Sequence, residues 1–185
     1  DIEFRLTEKN NGELKYNAYW YTSDNTGDPF MQIKTKVTVH SQKIRYRRVD
    51  FRMVLQPLEY NLSIGGSDNV KGYGGFSFRM ATNKHTKFYN DAGDSIIPQN
   101  TAMDAGAFVN IINPDHQNGV VIFNNPRNPE ISGWILRQDD SAQNCAWPGR
   151  VPVKLNVEQP VTLQYSILIH NGKLKNRAIQ RILSN

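Results

Sequence analysis

The densest grouping of chemically versatile side chains runs through Phe123-Asn124-Asn125-Pro126-Arg127-Asn128-Pro129-Glu130 and on to Gly133-Trp134-Ile135-Leu136-Arg137. Two prolines and three asparagines enforce a rigid, irregular loop, after which Trp134 and Arg137 follow on an extended stretch. A tryptophan beside amides and a guanidinium is a combination that suits a sugar: the ring stacks on C–H faces while planar donors such as Asn128 and Arg137 meet hydroxyls. Trp134 fits a core position equally well. Arg79 falls opposite Phe76, Phe78 and Met80 by strand parity, so it projects from the non-core face, where it could clamp a carboxylate or a sugar hydroxyl or sit in an exposed ion pair. Among the acids, Asp104 opens a strand after a loop and Asp139-Asp140 follow Arg137. Paired carboxylates perform acid/base work on glycosidic bonds when the fold sets their separation correctly.

Other chemistries lack a signature. Gly72-Tyr73-Gly74-Gly75-Phe76 has no Lys-Ser/Thr after it and leads into an extended segment, so it reads as a close approach of backbones, not as a phosphate cradle. The four histidines, His40, His85, His116 and His170, include no pair at i,i+2 or i,i+4, so neither a metal nor another cofactor is expected. His170, just before an Asn171-Gly172 turn, reads as a surface residue. The single cysteine, Cys145, sits in a polar loop with no evident activating histidine, and no Gly-x-Ser-x-Gly occurs. One cysteine also excludes a disulfide within the chain.

The 185 residues suit one domain spanning 1–185, with 38% hydrophobic and 21% charged residues and a net charge of +5. No apolar run approaches the ~18 residues of a membrane helix, so a soluble chain is expected. Lys34, Lys36, Lys43, Arg45, Arg47, Arg48 and Arg52 alternate with Ile33, Val37, Val39, Ile44, Tyr46 and Phe51. A nucleic-acid site would interleave cations with stacking aromatics; this pattern reads instead as the wet face of two strands, with no nucleic-acid partner. The chain begins at Asp1 and shows no signal peptide, which leads to the expectation that a leader or a larger N-terminal part has been removed. Compartment stays open, with the periplasm or the exterior as candidates.

The elements that must position these residues are mostly strands. Val161, Leu163, Tyr165, Ile167 and Ile169 alternate with Thr162, Gln164, Ser166 and His170, the period-two pattern of a strand with one buried face. Ile33–Val39 and Phe76–Met80 repeat it, and further strands are expected near Ile2–Thr7, Leu14–Thr22, Ala107–Ile112, Gly119–Asn124 and Gly133–Gln138. In Lys43–Leu58 the apolar parity switches between Tyr46 and Val49, which suggests a bulge near Arg47-Arg48. Turn signals separate the strands, and only Leu174, Ala178, Ile179, Ile182 and Leu183 share a helical face. The expected fold is an all-β, antiparallel β-sandwich of the supersandwich or jelly-roll kind, with a short C-terminal helix.

Gly72-Tyr73-Gly74-Gly75-Phe76 with Arg79, then Pro126-x-Asn128-Pro129 with Trp134 and Arg137, and a closing Leu163-x-Tyr165 strand ending in His170-Asn171-Gly172, resemble the PmoA-like ("methane oxygenase PmoA") domain family. The resemblance covers about the last two-thirds of the chain. It implies a β-sandwich in the style of galactose mutarotase and a place beside carbohydrate-degrading functions. It does not imply methane chemistry, since nothing in the chain spans a bilayer or clusters copper ligands. Asn125 stands where the family often has a histidine, and the family's histidine-rich N-terminal segment has no counterpart, which points to a partial domain or to altered activity. The expectation is a carbohydrate-associated protein that binds or processes a glycan through Arg79, Asn128, Trp134 and Arg137, with Asp104 as acid or base. The alternative is a non-enzymatic structural or binding module.

Overall fold

The computed structural model describes residues 2–23, 27–138 and 142–184. In chain order the elements are β1 (Ile2–Leu6), β2 (Gly12–Trp20), β3 (Met31–Val39), β4 (Tyr46–Pro57), β5 (Ser63–Ile64), β6 (Phe76–Arg79), β7 (Lys87–Tyr89), β8 (Ser95–Ile96), β9 (Phe108–Asn113), β10 (Asn118–Asn124), β11 (Gly133–Ile135), β12 (Ala142–Ala146), β13 (Val153–Lys154), β14 (Val161–Asn171) and α1 (Asn176–Ser184). Nine strands form one antiparallel sheet in the order β1-β2-β3-β4-β14-β10-β9-β7-β8, a three-stranded sheet runs β11-β12-β6, and β5 pairs with β13. The fold is the all-β sandwich expected, with sheets of unequal size.

The front face of the large sheet carries Leu55, Val109, Ile111, Ile122, Leu163 and Tyr165, and the small sheet packs onto it through Trp134, Cys145, Phe76 and Phe78. Phe76 stacks on Tyr165 at 4.7 Å between ring centroids and tilts against Phe51 at 5.1 Å, which fixes the two sheets face to face. On the back face, α1 lays Ile179 and Leu183 over Phe108, Val121 and Leu168. Asn176 anchors its first turn by donating to the Asp91 carbonyl at 2.9 Å. Arg48 donates to the Ile182 carbonyl at 2.7 Å, where helix carbonyls otherwise lack partners and a cation suits the dipole.

Several expectations need correction. No bulge interrupts β4: it pairs with β14 in continuous register from Tyr46↔His170 to Leu55↔Val161. The parity switch arises because both faces of the sheet are buried in turn, Tyr46 joining the helix cluster on the back and Phe51 and Met53 the sandwich core on the front. Ile44 lies before the strand and is fully exposed. His170 is buried, not superficial, held between the Gly172 carbonyl and the Asn110 side chain at 3.0 Å each; burial depresses its pKa. Cys145 is not in a loop but on β12, fully buried at the centre of the small sheet. Alternation along a strand does not say what covers each face, and five short strands, β5, β7, β8, β12 and β13, carry too little pattern to show in the sequence.

Ile179 is fully buried on the inner face of α1, so Ile179→Ala should cost ~2–5 kcal/mol by leaving a cavity, read as a lowered urea midpoint with an unchanged slope.

Candidate functional site

Asp104, Asn128 and Trp134 border one hollow of about 470 Å³, together with Asn124 and Glu130. The indole of Trp134 is nevertheless wholly buried, and its Nε1 donates to the Gly106 carbonyl at 2.9 Å. It cannot stack on a sugar; the core reading holds. Asn128 donates from Nδ2 to Asn124 Oδ1 and to the Gln164 carbonyl, each at 2.7 Å, and accepts from the Gln164 N–H at 2.6 Å. Its amide therefore stands in for a neighbouring strand along the edge of β14 and clamps the proline-rich loop, leaving no free group for a ligand. Asp104 is exposed and accepts the Gly106 N–H at 2.9 Å, the local bond by which an aspartate closes a turn.

Arg79 and Arg137 do not reach this hollow. Arg79 ends β6 opposite Ala142, is exposed, and makes no ion pair with any described residue. Arg137 exchanges two backbone bonds with the Gln143 side chain, at 2.9 and 2.8 Å, and donates to the Tyr73 hydroxyl at 3.4 Å. Asp139 and Asp140 lie outside the described residues. The five expected site residues thus split between a hollow and the small sheet. The glycine loop does what its composition suggested: a Cβ on Gly74 would come within 2.8 Å of the Trp147 carbonyl oxygen, and one on Gly75 within 2.7 Å of that of Cys145.

What the tertiary structure does gather is the half of the large sheet's back face that α1 leaves open. The register sets Glu3, Lys15, Lys36, Arg52 and Gln164 side by side across five strands, β1 to β4 and β14. Three of these in succession are cations. Lys34, next along β3, lies opposite Asn17, and among the described residues neither Lys34 nor Arg52 meets a carboxylate. These residues line a hollow of about 380 Å³. A second hollow of about 220 Å³ continues past Lys36 and Arg52 to Arg48, Asp50, Gln164 and Ser166. Tyr19, exposed on the same face, accepts a hydrogen bond from Gln32 at 2.8 Å.

Two carboxylates brace this surface. Glu13 takes Lys36 and Arg5 at 2.6 Å each, and those bonds hold its pKa down at about 2. Burial pushes Asp50 upward, but hydrogen bonds from Ser166 (2.6 Å), Arg48 (2.7 Å) and His40 (2.6 Å) outweigh it and leave its pKa lowered. Both are therefore fixed anions that orient their neighbours, the opposite of what a general acid requires. Burial raises the Cys145 thiol to about 12, so it is no nucleophile. Among the described residues no three His, Cys, Asp or Glu side chains gather to hold a metal ion. The surface presents cations, amides and hydroxyls, groups of the kind that meet anions and sugar hydroxyls.

With this geometry in view, the sequence matches one family along residues 3–184. The chain belongs to DUF6807, a family of unknown function. No curated protein and no solved structure matches it. Among the described residues no helix is long and apolar enough to cross a membrane. Lys34, Lys36 and Arg52 are visible in the sequence as cations of a wet strand surface, but Lys15 is not singled out there and their side-by-side placement is not visible, because cross-strand register is not written in either strand alone.

Asn128→Ala strips the Gln164 backbone of its partners and should lower stability by ~1–3 kcal/mol in urea unfolding. Glu13 has a depressed pKa, so its contribution to stability is complete above its ordinary value of 4.5 and is lost as pH falls towards about 2. The Tm gap between the protein and Glu13→Gln should close across that window.

Proposed function

We propose that this chain is a carbohydrate-binding β-sandwich module whose ligand, a glycan bearing acidic groups, lies along the open back face of the large sheet. The observation that carries the reading is the row Lys15, Lys36, Arg52, in which each cation stands directly opposite the next. Like charges in that relation destabilise a sheet. Where such a rule is broken and only partly offset by neighbouring carboxylates, a ligand can supply the remainder. Glu13 relieves Lys36 alone, and Glu3 approaches Lys15 only to 3.8 Å, so Arg52 keeps its fork for an incoming carboxylate or sulfate. Asn17 and Gln164 add amide groups for sugar hydroxyls, and Tyr19 offers an exposed ring. The resemblance to PmoA-like domains supports the carbohydrate class through the company such domains keep.

A second reading, that the chain processes the glycan, rests on Asp104 and Glu130 bordering the same hollow. It is checked by incubating any glycan that binds and following reducing ends, with Asp104→Asn as the control; release abolished in that variant would establish it.

The binding reading is tested on a glycan array holding neutral, uronate-containing and sulfated oligosaccharides, followed by calorimetry on the best ligand. Arg52→Ala should weaken binding ~10- to 100-fold, the worth of one charge-assisted hydrogen bond, while Arg79→Ala leaves it unchanged. Silence across the acidic glycans, or full affinity in Arg52→Ala, would sink the proposal. So would tighter, steeply salt-dependent binding of oligonucleotides.

A further inference from the structure

The two edges of the large sheet are unlike. One is β8, only two residues long and so a poor template for further pairing. The other is β1, Ile2-Glu3-Phe4-Arg5-Leu6, every residue of which is exposed. On its front face Ile2 is 81%, Phe4 67% and Leu6 73% exposed, although Phe4 reaches over Gly12 in the neighbouring strand. The strand has no proline, no bulge and no lysine, the devices that usually blunt an open edge. Three apolar side chains and a row of free backbone donors and acceptors thus face solvent together.

We propose that this edge pairs with the β1 edge of a second copy of the chain, antiparallel and centred on Phe4, joining two large sheets across a two-fold axis. The order of residues in β1 carries the assignment to a second copy. In an antiparallel pair centred on Phe4, Ile2 meets Leu6 of the other chain and Phe4 meets Phe4 on the apolar face. On the opposite face Glu3 meets Arg5, and Arg5 meets Glu3. The strand is therefore complementary to itself in both hydrophobicity and charge, as an isologous contact demands. A shift of one residue would face Ile2, Phe4 and Leu6 with the polar set, so the register is fixed by the same pattern. Arg5 already lies against Glu13 at 2.6 Å, so its guanidinium is held in place before a partner arrives. A contact of five residues from each chain is small for a specific interface, so the dimer should be weak and exchange with monomer.

The test is sedimentation velocity of the full chain, alone and in charge-reversed pairs, with circular dichroism to confirm folding. The unmodified chain should show a concentration-dependent monomer–dimer exchange. Glu3→Arg places arginine opposite arginine and Arg5→Glu places glutamate opposite glutamate, so each variant alone should weaken dimerisation at least 10-fold, while an equimolar mixture should recover it. Should Arg5→Glu fail to fold beside Glu13, cross-linking decides the same question. Phe4→Cys should form a covalent dimer under mild oxidation, whereas in Leu6→Cys the two cysteines stand about 13 Å apart along the strands and should not. A chain that stays monomeric at all concentrations, a dimer indifferent to charge reversal, or cross-linking through Leu6→Cys and not Phe4→Cys would each overturn the proposal. Protection of the β1 amides from exchange in a monomer would do the same, because it would assign the edge to a segment of the same polypeptide.

Discussion

The structure depends on the placement of β14. This strand lies between β4 and β10, and among the described residues no other strand pairing links the β1–β4 half of the large sheet to the β10-β9-β7-β8 half. Its burial explains why it must be central: Leu163, Tyr165 and Ile167 are buried on the front, Ser166, Leu168 and His170 on the back. A strand closed on both faces has to satisfy its backbone on both edges, because buried N–H and C=O groups without partners are costly. The Asn128 clamp extends the same logic past the end of β10, supplying Gln164 with an amide where the neighbouring strand has run out. β14 pairs with β4 across more than 100 residues of chain, a contact distant in sequence and of the kind that makes folding slow.

Around that strand the two faces have different occupants. The small sheet closes the front through aromatic contacts between Phe76, Tyr165 and Phe51. The back is divided: α1 covers the β9, β10 and β14 side, and polar groups fill the remainder. Arg48 and Asp50 stand on the boundary. Arg48 donates to Asp50 through one nitrogen and to the last turn of α1 through another, so the wall of the open surface is tied to the helix that borders it. Cations on β2, β3 and β4 then project from a surface whose backbone is fully paired and whose opposite face is part of the core. Such a platform holds its charges at fixed spacing without reorganising, a favourable arrangement for recognising an extended ligand.

The open face and the open edge meet at β1. Glu3 and Arg5 belong at once to the polar face and to the outer strand, and their partners Lys15 and Glu13 lie on β2. The ion pairs at the margin therefore stiffen the strand through which the sheet can be extended. Glu13, ionised down to about pH 2, is the fixed point of that margin, joining β1 to β3 across β2.

The sequence by itself determined the strands long enough to show alternation, the C-terminal helix, the close backbone approach at Gly74-Gly75 and the polar character of the Lys34–Lys36 stretch. These are local properties, written in the period of apolar residues and in turn chemistry. What it could not determine is what lies on each face. Alternation names two faces of a strand without saying whether solvent, a helix or a second sheet covers them. His170 therefore looks superficial in the sequence although Asn110 and the Gly172 carbonyl hold it buried, and Tyr46 looks like a phase error although it belongs to a second core. Trp134 and Cys145 sat in stretches rich in polar residues and still became the centre of the sandwich. The candidate site followed the same division. Its residue types were legible as cations on wet strands, but only the antiparallel register of β2, β3 and β4 set Lys15, Lys36 and Arg52 in one row, because cross-strand neighbours are chosen by the packing of whole sheets and not by either strand alone.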